Sequence, residues 1–355
     1  MGHDEGLSGE RAAVLLVTLW MVAILSLLAI GIGFRASIEL KLVGYQIASL
    51  KAYEIANAGV VKALNEIERD QSAAVDTIAE CGISLRPDET LEGKFSHISV
   101  GDGWFDVSYT DESGTTVVGL EDIQSKININ TADKNVLREL IGATDYVLSD
   151  NIRAYRGDAD IPQGAASRDY RDKPYPCKGA PFDIVLELLL IKDVTPEVFY
   201  GSSEGEGAAG IKDLVTVYGP SPFQVNINTA GQKVLAVLLK SAGLNPAIAE
   251  GMVKERAGPD GSVMTKEDNG VFKTVDEVKT YISAFLSSAE GGGLSADDQN
   301  RLNSFAAMIT CRSEYFRVIS TGSLPGNRSS MYKKIVCTVC RKEGGKPEAI
   351  QWSEQ

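Results

Sequence analysis

Residues 12–34 read AAVLLVTLWMVAILSLLAIGIGF and contain no charged side chain. This run of 23 residues lies between Arg11 and Arg35. At about 1.5 Å of rise per residue, a helix over it is about 34 Å long, enough to cross the hydrocarbon core of a bilayer. A cleaved secretory signal has a shorter apolar region, followed by a cleavage site between small residues. The stretch therefore predicts a transmembrane helix.

An amphipathic helix is predicted to continue directly from the membrane segment. No proline occurs between Ala12 and Asp70, and apolar side chains recur at steps of three or four residues. A single helix over residues 13–70 would approach about 90 Å in length. We expect one apolar stripe to pack against the helices of partner proteins. Its residues are Val43, Ile47, Leu50, Tyr53, Ala56, Val60 and Leu64.

The composition narrows the classes of function. The 355 residues carry a formal net charge of −13, which disfavours a nucleic-acid partner because affinity for phosphates comes mainly from Lys and Arg. The two histidines, His3 and His97, are far apart, so a His-based triad or a multi-His zinc site is not expected. No nucleophile with a matching base is recognisable, and we expect a protein that is not an enzyme.

The odd number of cysteines, five, leaves at least one thiol unpaired within a monomer, and their irregular spacing is not typical of a disulfide framework. Cys337 and Cys340 stand three residues apart in a β-branched run that predicts a strand. Residues three apart on a strand point to opposite faces, so this pair is not expected to share a metal ion.

The soluble part predicts an α+β fold in which a helical insertion divides a β-sheet. Strand patterns occur at residues 95–100, 104–109 and 115–120, and they resume at 316–321, 332–340 and 349–352. The predicted regions are a leader-like N-terminus (1–12), a transmembrane and amphipathic helix (13–70), a first β part (71–122), an inserted α-domain (123–312) and closing strands (313–355).

A duplication lies inside the insertion. Asn-Ile-Asn-Thr-Ala at residues 128–132 returns at residues 226–230, an offset of 98 residues. The trailing sequences also correspond: residues 152–156 read IRAYR and residues 252–256 read MVKER. Two similar helical units are predicted. We expect Thr131 and Thr229 to cap the helices that follow, and the paired asparagines to satisfy backbone groups of the turn.

Acidic residues cluster between the two copies, in a loop that contains Gly157 and Pro162. Asp158, Asp160, Asp169 and Asp172 are candidate ligands for Ca²⁺, which prefers carboxylate oxygens. Three cationic residues, Arg168, Arg171 and Lys173, are interleaved with them. A solvated loop whose charges pair with each other therefore remains the alternative.

The chain resembles the type II secretion minor pseudopilins of the general secretion pathway protein K family. The resemblance is carried by ERAAVLLVTLW at residues 10–20, AYEIANAGV at 52–60, ININTA at 127–132 and YFRV at 315–318. It implies a pilin-like sheet interrupted by a helical insert, which binds calcium in that family. It also implies a single-pass inner-membrane protein with its body in the periplasm of a Gram-negative-type bacterium. The implied partners are I-like and J-like minor pseudopilins, prepilin peptidase and the inner-membrane secretion platform.

Two departures from the usual pilin pattern concern the N-terminal end. The position before the family's cleavage site is Ala12 instead of Gly, so prepilin peptidase is expected to cut between Ala12 and Ala13, with a cut after Gly9 as the alternative. The fifth residue after this cut is Val17, where most pilins carry Glu. In a pilus that Glu is buried and pairs with the N-terminal amine of a neighbouring subunit, because a buried carboxylate without a partner is costly. A subunit with no neighbour above it has no such amine to pair with. The absence is therefore compatible with a position at the tip of the filament.

The repeated motif is also similar to helix-hairpin-helix modules, which hold a DNA phosphate on the backbone amides of a Gly-rich hairpin. The corresponding stretches, residues 140–145 and 241–246, each contain one glycine. Neither stretch offers the second glycine of such a hairpin. DNA binding by a membrane-anchored periplasmic protein is therefore kept as the alternative function, behind the pseudopilin.

Overall fold

The computed structural model describes residues 5–70, 75–83, 85, 89–111, 114–142, 146–161, 170–171, 173–201, 210–258, 271–290, 294–325, 331–342 and 346–355. Side chains of the first helix are described from Ala13 onward.

The first helix, α1, runs without a break over 65 residues, Glu5–Arg69. The predicted continuous helix is therefore confirmed. Its first part extends beyond the folded body, and the face of its last part, from Ala52 to Ile67, is buried. Because no proline removes a backbone donor, the hydrogen-bond ladder continues from the membrane segment into the body.

A seven-stranded antiparallel sheet covers that buried face. The strands of the first part are β1 (Ile98–Val100), β2 (Gly103–Thr110), β3 (Thr116–Val118) and β4 (Glu121–Asp122). A short helix, α2 (Leu91–Phe95), ends at the first residue of the first predicted strand, and Thr90 caps this helix by accepting from Gly93 N. The later strands are β9 (Tyr315–Leu324), β10 (Met331–Cys340) and β11 (Glu348–Glu354). The order is β1-β2-β9-β10-β11, with β3 on β2 and β4 on β9.

Helix and sheet meet at two glycines. A Cβ atom on Gly322 of β9 would lie 2.2 Å from Ala52 O and 2.3 Å from Ala56 N. A Cβ on Gly59 of α1 would lie 2.2 Å from Ser320 Oγ. These distances are below van der Waals contact, so the backbones approach as closely as they do only because both positions lack a side chain.

The insertion contains two parallel two-stranded ribbons and most of the short helices. β5 (Ile127–Asn128) pairs with β6 (Val215–Thr216), and β7 (Val225–Asn226) pairs with β8 (Ile309–Thr310). The helices are α3 (Lys134–Ile141), α4 (Tyr146–Arg156), α5 (Pro196–Tyr200), α6 (Gln232–Ser241), α7 (Ile248–Arg256), α8 (Val275–Glu290) and α9 (Ala296–Ala307). Two 3₁₀ turns occupy Ile123–Ser125 and Val185–Leu190.

Two hydrophobic cores divide the chain. One contains buried residues from Ile127 to Cys311 and belongs to the insertion. The other joins residues between 52 and 120 to residues between 316 and 339, across the sheet and α1. The α+β class with a long N-terminal helix and an antiparallel sheet is thus confirmed. Cys337 and Cys340 lie on β10, as the β-branched pattern predicts.

Candidate assembly interface

The N-terminal part of α1 is apolar and has no contact with the body. Mean hydropathy reaches 2.7 in its most apolar window, none of which is buried, and it is the one helix among the described residues with membrane-spanning length and composition. Val14, Leu19 and Phe34 are each more than half exposed. A stretch of this kind is unfavourable in water and fits a single-pass membrane anchor.

Exposed apolar residues continue beyond the membrane-length segment. Val43, Ile47 and Leu50 are 49%, 53% and 62% exposed. They fall on one side of α1, because steps of four and three residues return to the same face of a helix. This set, the Val43 stripe, is available to a partner.

The rest of the predicted partner-packing stripe requires a correction. Ala56 and Val60 are fully buried beneath the sheet of the same chain, so the prediction that they pack against partner helices is wrong. The buried face and the exposed face have the same helical period, so spacing did not distinguish them. Tyr53 and Leu64 are half-buried at the flank of this contact. Burial, and then Glu354, raises the pKa of the Tyr53 hydroxyl.

A groove of about 360 Å³ lies where α1 leaves the body. Its apolar walls are Leu50, Ile55, Val100 and Leu324. A salt bridge of 2.9 Å between Lys51 Nζ and Asp102 Oδ2 stands at its rim. The groove is thus continuous with the Val43 stripe through Leu50, and together they can receive an aliphatic helix face.

The predicted cleavage position lies within α1. The helix passes through Ala12 and Ala13, and the side chain of Ala13 is exposed. Processing between these two residues stays a prediction.

The described part of the acidic loop is paired with arginine. Asp158 accepts hydrogen bonds from Arg153 Nε at 2.9 Å and from Arg156 Nε at 2.6 Å. Asp160 is paired with Arg153 Nη2. These two carboxylates do not fit a calcium ion as they stand, since guanidinium groups occupy the oxygens that a cation would need. Asp169 and Asp172 lie outside the described residues, and calcium binding remains a prediction.

The predicted threonine caps are wrong in both copies. Helix α3 begins at Lys134, and Asp133 caps it by accepting from Val136 N at 2.8 Å. Thr131 Oγ1 is buried with no hydrogen-bond partner among the described groups.

In the second copy, α6 begins at Gln232 after Gly231, without a side-chain cap. Thr229 donates to Asp122 Oδ2 instead. The repeated motif first closes its own turn: Ala132 N donates to Asn128 O at 2.8 Å, and Ala230 N to Asn226 O at 3.0 Å. The helices therefore start beyond the threonines.

The first asparagine of each motif binds a backbone group of the turn, as predicted: Asn128 Oδ1 accepts from Asn130 N at 2.9 Å, and Asn226 Oδ1 accepts from Asn228 N at 3.0 Å. The second asparagine binds backbone groups far along the chain. Asn130 Oδ1 accepts from Phe182 N at 2.7 Å, and its Nδ2 donates to Phe182 O at 3.0 Å. Asn228 makes the same pair of bonds with Phe272, at 3.1 and 2.9 Å. Each unit also places its strand in a parallel ribbon, so the duplication extends from sequence to hydrogen bonding. The resemblance to helix-hairpin-helix modules stays a prediction.

A buried polar cluster joins the insertion to the sheet, and we refer to it as the junction cluster. Its members are Asp70, Asp76, Asp122, Asn226, Thr229, Ser313 and Arg341. Arg341 Nη1 donates to Asp70 at 2.6 Å, and its Nη2 donates to Asp76 and to Ser313 O. Asn226 Nδ2 donates to Asp122 Oδ2 at 3.1 Å and to Asp76 O at 3.0 Å.

Burial dominates the electrostatics of this cluster. It raises the pKa of Asp122 to about 6, although Ser313 and Thr229 donate hydrogen bonds to the carboxylate. It also raises the pKa of Asp76, against the opposing effect of Arg341. Sequence reasoning missed the cluster because its members lie up to 271 positions apart, as Arg341 and Asp70 do.

Comparison with known proteins adds a structural neighbour. No family model matches the sequence, and no curated protein matches it. The fold is similar to that of a chain in the crystal structure of the GspK–GspI–GspJ complex from the enterotoxigenic Escherichia coli type 2 secretion system. The TM-score is 0.53 at 13% sequence identity, over 90% of this chain and 99% of that chain. This chain therefore has the fold of a subunit of that complex.

Proposed function

We propose that this protein is a minor pseudopilin, anchored in the inner membrane by α1 and assembled with other minor pseudopilins of a type II secretion system. The observation that carries the proposal is the fold likeness to a chain of the GspK–GspI–GspJ complex over nearly the whole of both chains. The Val43 stripe and the adjoining groove supply the surface: exposed aliphatic residues on a helix that continues from a membrane segment.

The mechanism is structural. Partner helices pack against the Val43 stripe just outside the bilayer, and burial of Val43, Ile47 and Leu50 stabilises the complex. The insertion has a core of its own and adds bulk to the body. We propose that this bulk and the apolar Val17 place the subunit at the tip, where it primes assembly from below.

Co-purification tests the partner interface. The full chain is extracted in detergent with I-like and J-like minor pseudopilins from the same cells and isolated through a tag. The triple variant Val43→Asn, Ile47→Asn, Leu50→Gln should recover at least about tenfold less partner, the change expected from losing about 1.4 kcal/mol of binding free energy. The matched control replaces exposed α1 residues on the sheet-bound part, Asn65→Gln and Glu68→Gln, and should recover wild-type amounts. Failure of the wild-type chain to retain any partner would refute the proposal.

The tip position has a separate test. Overproduced pseudopili are labelled with an antibody against the insertion and imaged. Label at one end of each filament supports the proposal, and label along its length contradicts it.

A further inference from the structure

The two units of the insertion place an arginine at the same point. Arg156 Nη1 donates to Ile129 O at 2.6 Å, and Arg256 Nη1 donates to Ile227 O at 2.6 Å. Ile129 and Ile227 are the middle residues of the two Asn-Ile-Asn motifs. Each guanidinium group thus binds the equivalent backbone carbonyl of its own unit, and each arginine is the last residue of its helix, α4 or α7.

In the first unit a carboxylate completes the arrangement. Asp158 lies two residues after Arg156, and its Oδ1 accepts from Arg156 Nε at 2.6 Å. Its Oδ2 accepts from Arg156 Nη2 at 2.9 Å. This two-pronged contact matches the planar fork of the guanidinium and neutralises its charge.

In the second unit, none of the described residues supplies such a carboxylate. Gly258 stands two residues after Arg256, where the first unit has Asp158. Arg256 Nη2 donates to Ala230 O at 2.9 Å, and Arg256 Nε is buried without an acceptor among the groups that the structure describes. Arg256 is 4% exposed, and no carboxylate of the described residues forms an ion pair with it. Burial lowers its pKa to about 10. A buried cation with two carbonyl partners is costly, because its desolvation is not offset by an opposite charge.

We propose that Arg256 is a binding site for a carboxylate supplied by a ligand, in the role that Asp158 has in the first unit. The first unit is the template: there a carboxylate accepts from the arginine Nε, which is the donor of Arg256 that has no acceptor among the described groups. The site lies in the insertion and does not depend on the Val43 stripe. Its test is therefore independent of the test of the proposed function.

The test follows the arginine Nε–H signals of the full chain by NMR, in detergent, with arginine labelled with ¹⁵N. Sodium acetate and a capped aspartate-containing peptide are titrated against sodium chloride at equal ionic strength. Arg256→Lys and Arg156→Lys assign the two signals by their loss. The Arg256 signal should move in a saturable way, and the Arg156 signal should not. A stronger response to the peptide would identify a protein-borne carboxylate, and a stronger response to acetate a small anion.

Two exchanges between the units serve as matched controls. Asp158→Gly removes the carboxylate partner of Arg156 in the first unit, and the Arg156 signal should then move on addition of acetate. Gly258→Asp supplies a carboxylate in the second unit, and the Arg256 response should disappear. The proposal is overturned if Arg256 in the wild-type chain stays unmoved at acetate concentrations that move Arg156 in Asp158→Gly.

Thermal unfolding gives a second readout that does not depend on these variants. Acetate should raise the midpoint of the wild-type chain over chloride by about 2–4 °C at tenfold saturation, and no shift would overturn the proposal. It is also overturned if Asp260→Asn, Glu267→Gln, Asp268→Asn together move the Arg256 signal as a lost ion pair would. That result would show that the chain fills the site itself.

Discussion

Asp122 lies at the end of β4, where the sheet meets the insertion, and its protonation is set by burial. Its pKa is raised to about 6, so the folded state binds this proton more tightly than the unfolded chain does. The stability from this group is therefore fully present below about pH 4 and is lost as the pH rises through 6. Its neighbour Glu121 behaves in the opposite way: against the effect of burial, Lys126 and Arg317 lower its pKa. The contribution of Glu121 is lost only in more acidic solution.

The free energy of unfolding should rise by about 1 kcal/mol when the pH is lowered from 7 to 5, because Asp122 takes up its proton in that window. Asp122→Asn should reduce this increase. Urea unfolding at both pH values measures it, with exposed Asp297→Asn as the control that should keep the wild-type increase. An unchanged pH dependence in Asp122→Asn would show that another group is responsible.

The thiols should differ in reactivity according to burial. Burial raises the pKa of Cys311 and Cys337 to about 11, and it raises those of Cys81, Cys177 and Cys340 as well. Since the thiolate is the reactive form, alkylation at pH 7 should be slow at every cysteine. Half-buried Cys177 should react first, and the four buried thiols only after denaturant is added. Mass spectrometry of iodoacetamide-treated protein measures the order, and early labelling of Cys337 would contradict the core described for the sheet.

At the scale of elements, the contact between α1 and the sheet depends on two glycines, Gly59 facing side chains and Gly322 facing backbone. Gly322→Ala would place a methyl group 2.2 Å from Ala52 O, which neither a strand nor a helix can accommodate without moving. We expect a loss of about 1–3 kcal/mol in the free energy of unfolding, as for overpacking of a core. The control is Gly44→Ala on α1, which meets nothing within 4 Å and should be neutral or stabilising. Denaturant titration compares the two, and equal stabilities would mean that helix and sheet are not packed this closely.

Elements with a regular period were predictable, and the partners of their faces were not. The uninterrupted run from Ala12 to Asp70 predicts one helix, and the β-branched runs predict β9 and β10. The stripe on α1 indicated burial, but its period is the same whether the cover is the chain's own sheet or another protein, so Ala56 and Val60 were assigned to the wrong neighbour. The correspondence of Arg156 with Arg256 was visible in the duplication. The pairing of Asp158 with Arg156 was not visible in the sequence, because it depends on how the loop after α4 folds back onto the arginine.

At the scale of the whole molecule, the insertion and the sheet behave as one body only while the junction cluster holds. Arg341, at the end of β10, binds the end of α1 through Asp70 and the loop of residues 75–83 through Asp76. Asn226 and Thr229 attach the second unit of the insertion to Asp122. Both carboxylates that Arg341 contacts are almost fully buried. The positive charge of Arg341 therefore offsets part of the desolvation cost of burying these carboxylates.

Arg341→Met should uncouple the two parts of the chain. It leaves Asp76, whose side chain is fully buried, without the guanidinium that contacts it, and it removes one partner of Asp70, which costs about 3–5 kcal/mol. The three tryptophans, Trp20, Trp104 and Trp352, all lie outside the insertion, so their fluorescence follows α1 and the sheet, whereas far-UV circular dichroism follows the helices of both parts. The two signals should coincide during urea unfolding of the wild-type chain and separate in Arg341→Met. The neighbouring substitution Lys342→Met removes an exposed, solvent-screened ion pair with Glu348 and should leave the curves coincident. Coincident curves in Arg341→Met, with a loss no larger than that of Lys342→Met, would mean that the connecting strands hold the insertion in place without the cluster.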